Sequence, residues 1–492
     1  MRVNIKILIV LFILLLCLQA GFLILIARPN HEVIHEKLNL HLPKSGDNLP
    51  VHYSYFSNQD FFDEVYQQAI GQTPKTDSQI YGGIVPHHLI VKDKIAAFFA
   101  GLESNGYQTI ILIGPNHFNQ GKNDIILSQA QWQTAYGILE PDLKLIRHLS
   151  QSPFVSIEES PFVSEHSISG LVSFIKKSFP DARFAPIILK QNFSLEQSTA
   201  LAQAMFEYAS QQKILAIASV DFSHYQPVAV ADFHDLKSAS VINNFDFDRI
   251  YDLEIDSAPS IYALLKYLEL AGAQKSQIIF STNSGLLIDK PDEPTTSHHF
   301  FYFAKGEKLS QSPAVNFLFF GDLMLDRHVG EKISKNGLDY VFVKLAGEEN
   351  RFFKGIDLIS ANLEGAVTNL GAHYAPNMSY DFAFAQELIN QLKKYHFNFF
   401  NLANNHFTDQ GSRGVNETRQ NLSQLGFNYS GCSDGEVGEC SSTIVEVANQ
   451  KIGMAGFSMV YSQFDVESAQ EVIRQLAAET DLIIVNIHWG AE

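Results

Sequence analysis

FNFFNLANNHFTDQG (residues 397–411) runs from an apolar stretch straight into amides, a histidine and an aspartate. A short Phe-rich run of this kind reads as a buried strand, which leaves the polar cluster at its carboxyl end. VNFLFFGDLMLDR (315–327), IDLISANLEG (356–365) and DLIIVNIHWG (481–490) repeat the arrangement, while KIGMAGF (451–457) is strand-like without the polar ending. Such runs, alternating with helix-like stretches, indicate an α/β fold, and in open α/β sheets ligands bind outside the carboxyl ends of the strands. Any one of these residues is more often a turn aspartate, a capping asparagine or a hydrogen-bonded histidine; their recurrence at strand ends is what points to a site. The clusters offer Asp322, Asn362, Glu364, Asn405, His406 and His488, a carboxylate, amide and imidazole set that suits Zn, Mn or Fe rather than a thiolate centre. Paired divalent ions bridge a water or hydroxide, lower its pKa and clamp a phosphoryl or acyl oxygen. His406, beside Asn405, is the candidate general acid or electrostatic stabiliser.

A second α/β series precedes this one: YGGIVPHH (81–88), VKDKIAAFFAGLESNG (91–106), QTIILIGPNH (108–117), RFAPIILK (183–190), LEQSTALAQAMFEYAS (195–210) and KILAIASVDFSHY (213–225). His87, His117 and His224, with Glu165 and Asp221, make a mixed imidazole and carboxylate pocket of the kind that binds iron or another divalent metal, and His166 is a pocket residue able to act as a supporting partner. TTSHHFFYFAKGE (295–307) closes this part and KLSQSP (308–313) reads as a polar linker. The expected organisation is two α/β domains, 51–305 and 315–492, joined by a linker over 306–314.

At 492 residues the chain exceeds the usual size of one core. Hydrophobic residues at 46% and 38 Phe exclude a disordered polymer. A formal charge of −18, with the acidic excess spread over both halves, excludes a nucleic-acid protein. After Arg2 and Lys6 comes ILIVLFILLLCLQAGFLILI (7–26), long and apolar enough to cross a bilayer. No small-x-small cleavage site follows it. The expectation is an uncleaved signal anchor over 5–27 and a polar stalk over 28–50, a single pass in the cell membrane with the bulk extracytoplasmic; a cleaved signal peptide is the alternative. Cys432 and Cys440 flank SDGEVGE and are compatible with either a disulfide or two free thiols.

GDLMLDR (321–327), NLEGAVT (362–368), ANNHFTDQGSRGVNET (403–418) and HWGAE (488–492) resemble the motifs of the CapA-type capsule or poly-gamma-glutamate synthesis proteins, within the calcineurin-like metallophosphatases. The resemblance implies a four-layer α/β/β/α fold and a dinuclear metal site. It makes Asp322, Asn362, Glu364, Asn405 and His488 metal ligands, and His406 with Asp409 the catalytic pair. The family continues past HWG to a later His-containing motif, so the resemblance implies an incomplete C-terminal domain here.

VPHH (85–88), LIGPNH (112–117), QWQTAYGILEPD (131–142), SEHSISG (164–170), PIIL (186–189) and ASVDFSHY (218–225) resemble the Memo family, including AmmeMemoRadiSam system protein B, whose fold is related to class III extradiol dioxygenases. His87 and His117 fall on the family's metal histidines and His224 on its pocket histidine, while Asp256 in EIDSAPSI stands where the family has a metal cysteine. His88 and Leu89 replace small residues after the PH motif, and Ser169 replaces an acidic one. Together the two resemblances imply a membrane-anchored, metal-dependent hydrolase acting with a cell-envelope polymer or its synthesis machinery. Divalent Mn, Zn or Fe is the expected cofactor, with iron in the first domain. The alternatives are a noncatalytic polymer-binding or assembly factor and an iron-dependent oxidoreductase.

Overall fold

A computed structural model describes residues 49–490, apart from 76–77, 192, 310 and 376–379. The apolar span 5–27 and the stalk up to residue 48 lie outside the described residues. No helix among the described residues is long and apolar enough to cross a membrane. Val51–Glu492 forms one compact unit of mixed α/β structure with several sheets.

Ile80–Val85, Ile214–Ser219, Thr109–Pro115 and Arg183–Leu189 are the parallel centre of a nine-stranded sheet. Their side chains are almost all buried, which is why the sequences are continuous apolar runs rather than alternating ones. Thr295–Ala304 lies antiparallel to Ile80–Val85, with Phe301 opposite Ile84. Its early residues therefore reach the edge where the parallel strands finish, and His224–Gln226 pairs with them there. Helices Leu143–Leu149, Leu195–Ala209, Val228–Asn244 and Ala258–Leu270 cover one face; Gln59–Ala69, Lys92–Ala100 and Val172–Ser178 cover the other. The helix at Leu195 starts on a capping box in which Ser194 and Gln197 satisfy each other's backbone N–H. Gly82 and Gly83 set the approach of both layers: a Cβ would fall 2.8 Å from the Ala216 carbonyl in one case and 2.6 Å from the Phe98 ring in the other.

The second region has a parallel sheet in the order Phe317–Leu323, Leu358–Leu363, Phe399–Asn401, Asn428–Ser430. Its register sets Asp322 beside Asn362 and Asn362 beside Asn401. Helices including Arg327–Asn336, Asp339–Ala346 and Gly411–Gln424 bury their apolar sides on one face through Ile333, Phe342 and Leu422. Leu358 and Phe399 on the other face pack against Val445, Ile452 and Met454 of the sheet formed by Ser442–Val447, Gln450–Met459 and Leu482–Trp489. Helix Val466–Glu479 covers that sheet through Ala469 and Leu476.

Buried charge joins the two regions. Asp357 sits 2.7 Å from Lys237 Nζ and accepts two hydrogen bonds from Arg249 Nη2, at 3.0 and 2.9 Å. The Lys237 side chain is 3% exposed and that of Asp357 9%. Two cations taken out of water share one carboxylate, so removing it leaves both uncompensated. Asp357→Ala is expected to lower stability in urea unfolding by about 3–5 kcal/mol; an unchanged midpoint would show that the junction contributes little.

Candidate functional site

His87, His117 and Asp221 follow directly from Val85, Pro115 and Ser219, the carboxyl ends of three neighbouring parallel strands, so the chain direction alone delivers them to one edge. His87 Nε2 lies 3.4 Å from both Asp221 Oδ2 and Asp256 Oδ2, and His117 Nε2 lies 3.8 Å from Asp256 Oδ2. His87 Nδ1 is 3.1 Å from Ser219 Oγ, and His117 Nδ1 is 2.8 Å from Glu165 Oε1. Each imidazole is thus held by its Nδ1 and turns its Nε2 inward, the usual arrangement for a metal-binding histidine. Glu165 also accepts the backbone N–H groups of His117 and Ser167, which fixes the carboxylate itself. The His166 ring stacks 4.3 Å from His117 and lies 5.2 Å from His87. Two triplets, His87 with His117 and His166, and His87 with Asp221 and Asp256, each bring their ligand atoms within 4.8 Å of one another.

These residues fit a divalent metal. Asp256 Oδ1 is buried without a hydrogen-bond partner, and a buried unsatisfied carboxylate oxygen is costly unless something binds it. Burial drives His87 down to about 3 even though Asp221 pulls it up, so His87 is neutral and ready to ligate. Burial lowers His117 too, but Glu165 more than reverses this and raises it. Burial and the adjacent Asp221 charge raise Asp256 well above the ordinary carboxylate value. Burial also opposes ionisation of Asp221, yet His87 and His298 outweigh it and keep that carboxyl low. Asp221 is thus the more acidic of the pair, and a cation beside Asp256 would favour its ionised form.

His224 stands apart from the ligand triplets. Its backbone N–H donates to Glu254 Oε2 at 2.9 Å and its Nδ1 is buried without a partner. His298 takes a place that sequence reasoning did not give it, with Nδ1 3.2 Å from Asp221 Oδ1. The pair His298–His299 in TTSHHFF was the available signal, but it lies near the start of an antiparallel strand, where a search of strand carboxyl ends does not look.

In the second region Asn362 Nδ2 donates to Asp322 Oδ1 at 2.7 Å and lies 3.3 Å from His488 Nδ1, while His488 Nε2 is 2.9 Å from Asn405 Oδ1. Four segments therefore meet as the strand-end rule requires. His406 Nδ1 is 2.8 Å from Asp409 Oδ2, its Nε2 is 3.9 Å from Glu364, and the Phe382 ring lies 4.2 Å away. Asn362 Oδ1 accepts from both Asn401 and Asn404, at 3.1 and 3.0 Å; these two amides were unassigned in the sequence reading although both lie inside FNFFNLANNH. Among the described residues this region contains no group of three His, Cys, Asp or Glu close enough to share one ion. The donor set fits a metal less completely than the first region's. Cys432 and Cys440 are joined as a disulfide.

Residues 53–292 match the family model for Memo-like proteins, and residues 316–492 match that for the bacterial capsule synthesis protein PGA_cap. A MEMO1 family protein of Methanosarcina barkeri is 30% identical over 42% of this chain and 81% of its own length. Another from Nitrosopumilus maritimus is 26% identical over 44% of this chain and 82% of its own. The capsule biosynthesis protein CapA of Bacillus anthracis is 24% identical over 35% of this chain, which spans 46% of that relative.

Two outcomes are expected in calorimetric titration of the protein with Fe²⁺ or Co²⁺. Binding should strengthen as pH rises, because burial and the Asp221 charge hold the Asp256 carboxyl above its ordinary value and a cation favours the ionised form; pH-independent binding would contradict this. Glu165→Gln should weaken binding about 10- to 100-fold by freeing the His117 ring, and parent-like affinity would remove Glu165 from that role.

Proposed function

Because this chain belongs to the MEMO1 family through its first region and matches the capsule-synthesis family model through its second, we propose that it is a metal-dependent envelope protein of capsule or poly-gamma-glutamate-type exopolymer synthesis. The two assigned domains are 51–305, with an extradiol-dioxygenase-like fold, and 315–492, with a calcineurin-like four-layer fold. The anchor is the apolar segment over 5–27, a single pass with the body extracytoplasmic. The disulfide between Cys432 and Cys440 supports an oxidising compartment. The partner is an envelope polymer or its synthesis machinery.

His87, His117 and Asp256 would hold iron or another divalent ion in the first region. In the second, Asp322, Asn362, Glu364, Asn405 and His488 would hold Mn, Zn or Fe. Such ions supply Lewis acidity and a bound water of lowered pKa for attack on a phosphoryl or acyl bond. His406 is the residue placed to handle the proton. Asp409 accepts the Phe382 N–H at 2.9 Å while lying 2.8 Å from His406 Nδ1, which orients the ring. The observation that carries the hydrolase reading is the meeting of Asp322, Asn362, Asn405 and His488 from four segments at one sheet edge.

A second reading, a noncatalytic polymer-binding factor, draws support from Asn362, whose amide oxygen is already used by Asn401 and Asn404. Hydrolysis of a chromogenic phosphodiester by the Mn²⁺- or Zn²⁺-supplied full chain separates the two. The hydrolase reading expects metal-dependent turnover that falls about 10²- to 10⁴-fold in His406→Ala. Turnover indifferent to that substitution removes the role of His406, and absence of turnover with retained polymer binding favours the second reading.

A further inference from the structure

The chain passes from one sheet of the second region to the other through a loop closed on itself. Asn428–Ser430 belongs to the four-stranded sheet and Ser442–Val447 to the three-stranded one, and the disulfide between Cys432 and Cys440 ties off the residues between them. On one side this loop lies on the turn that leads into Asn404, Asn405 and His406. The Ser430 carbonyl accepts the Leu402 N–H at 2.7 Å, and the Gly431 N–H donates to the Cys440 carbonyl at 2.7 Å. Gly431, at φ +124°, lies so close to that turn that a Cβ would come 2.2 Å from the Ala403 nitrogen. The next residue of the turn, Asn404, donates to Asn362 Oδ1 at 3.0 Å and accepts the His406 N–H at 3.1 Å.

On its other side the loop holds the end of strand Gln450–Met459. Asp434 accepts from Ser458 Oγ and from the backbone N–H groups of Val460, Tyr461 and Ser462, at 2.8, 3.0 and 2.7 Å for these three. The Gly435 N–H donates to the Ser458 carbonyl at 3.0 Å, and Val437 packs on the cluster that contains Phe457 and Leu476. Ser458 stands beside His488 in the parallel register of the three-stranded sheet. His488 in turn meets Asn362 and Asn405 of the four-stranded region. The site is thus assembled across two sheets, and the loop grips both of them next to it. Cys432 is buried and Cys440 half-buried, so a small reductant approaches the bond from the Cys440 side.

We infer that the Cys432–Cys440 loop is a redox-dependent clasp on the second region's site, with Asp434 as its positioning residue. Oxidised, it holds the Asn404 turn and the His488 strand at the spacing that lets Asn362, Asn405 and His488 share a metal; reduced, it lets them separate. This rests on the reading of Asp322, Asn362, Asn405 and His488 as metal ligands, and adds the regulation of that site. One thiolate of a dithiol attacks a cysteine sulfur and the S–S bond breaks; the second thiolate then resolves the mixed disulfide. Two electrons and two protons pass to Cys432 and Cys440, and the reductant closes to its own disulfide. Without the bond the loop regains conformational entropy, which opposes the ordered arrangement around Asp434.

The test uses the full chain carrying His117→Ala, which removes a candidate ligand of the first region, and follows Mn²⁺ binding by electron paramagnetic resonance. Affinity is measured before dithiothreitol treatment, after it with the reagent removed under argon, and after reoxidation. Reduction should weaken Mn²⁺ binding about 10- to 100-fold, and reoxidation should restore it. Cys432→Ser combined with Cys440→Ser should show the weak affinity and no response to the dithiol. Asp434→Ala should weaken binding with the disulfide intact, and Asp434→Asn, which keeps one acceptor oxygen, should fall between. Amide hydrogen exchange at 402–406 and 486–489 should quicken on reduction. Fluorescence of the buried Trp132 and the melting temperature establish that each form is folded; should the double serine variant fail to fold, the reduced parent and the Asp434 variants carry the test. A disulfide that only stabilises the fold would lower the melting temperature and leave Mn²⁺ affinity and that exchange unchanged, which overturns this inference and leaves the metal reading standing. Absence of Mn²⁺ uptake by the oxidised chain overturns both.

Discussion

Four central strands of the first sheet run the same way, and the candidate metal centre depends on that shared direction. Parallel strands end at one edge, so the residues after Val85, Pro115 and Ser219 meet without any long excursion of the chain. An antiparallel neighbour contributes from its opposite terminus, which is how His298 reaches Asp221. The remaining candidate ligand, Asp256, comes from a loop rather than a strand end, and its position is secured by contacts from outside the sheet: its Oδ2 accepts the Asp221 N–H, while Glu254 nearby is tied to His224 and Arg351.

The second region obeys the same rule with a different outcome. Its register puts Asp322, Asn362 and Asn401 in line, and His488 and Asn405 close around them. Amides outnumber charged groups at the centre, so hydrogen bonds between side chains satisfy much of what a cation would otherwise satisfy. The close approach behind this cluster is steep: a Cβ on Gly456 would come 2.1 Å from Asn401 Oδ1. Buried charge spans the two regions, Lys237 and Arg249 on Asp357 together with Arg351 on Glu254, alongside the packing of Phe233 against the second region's core. Such pairs carry a desolvation cost that only good geometry offsets, and breaking one leaves its partner stranded.

Much of this was legible in the sequence because it is local. YGGIVPHH, QTIILIGPNH and KILAIASVDFSHY read as buried strands with polar endings, and the structure brings His87, His117 and Asp221 from them together, with His224 set apart. Glu165 was legible as a pocket residue, and its hydrogen bond to His117 gives it a specific task. His298 was missed because a strand-end search favours carboxyl termini. Arg351 was missed for a different reason: nothing in EENRFFKG announces that it will lie against a loop 97 residues earlier. Lys237 lies in a helix whose sequence gives no local sign that one lysine will be almost wholly buried. Long-range charge pairing has no periodicity, and only the assembled fold reveals it.

The central claim is that His87, His117 and Asp256 form a metal centre. Elemental analysis of metal bound per chain, in the purified full-length protein and in its His117→Ala and Asp256→Ala variants, tests it most directly. The account predicts a stoichiometric divalent metal fraction in the parent that disappears from both variants. No stoichiometric metal in the parent, or the same metal content in all three proteins, would contradict it.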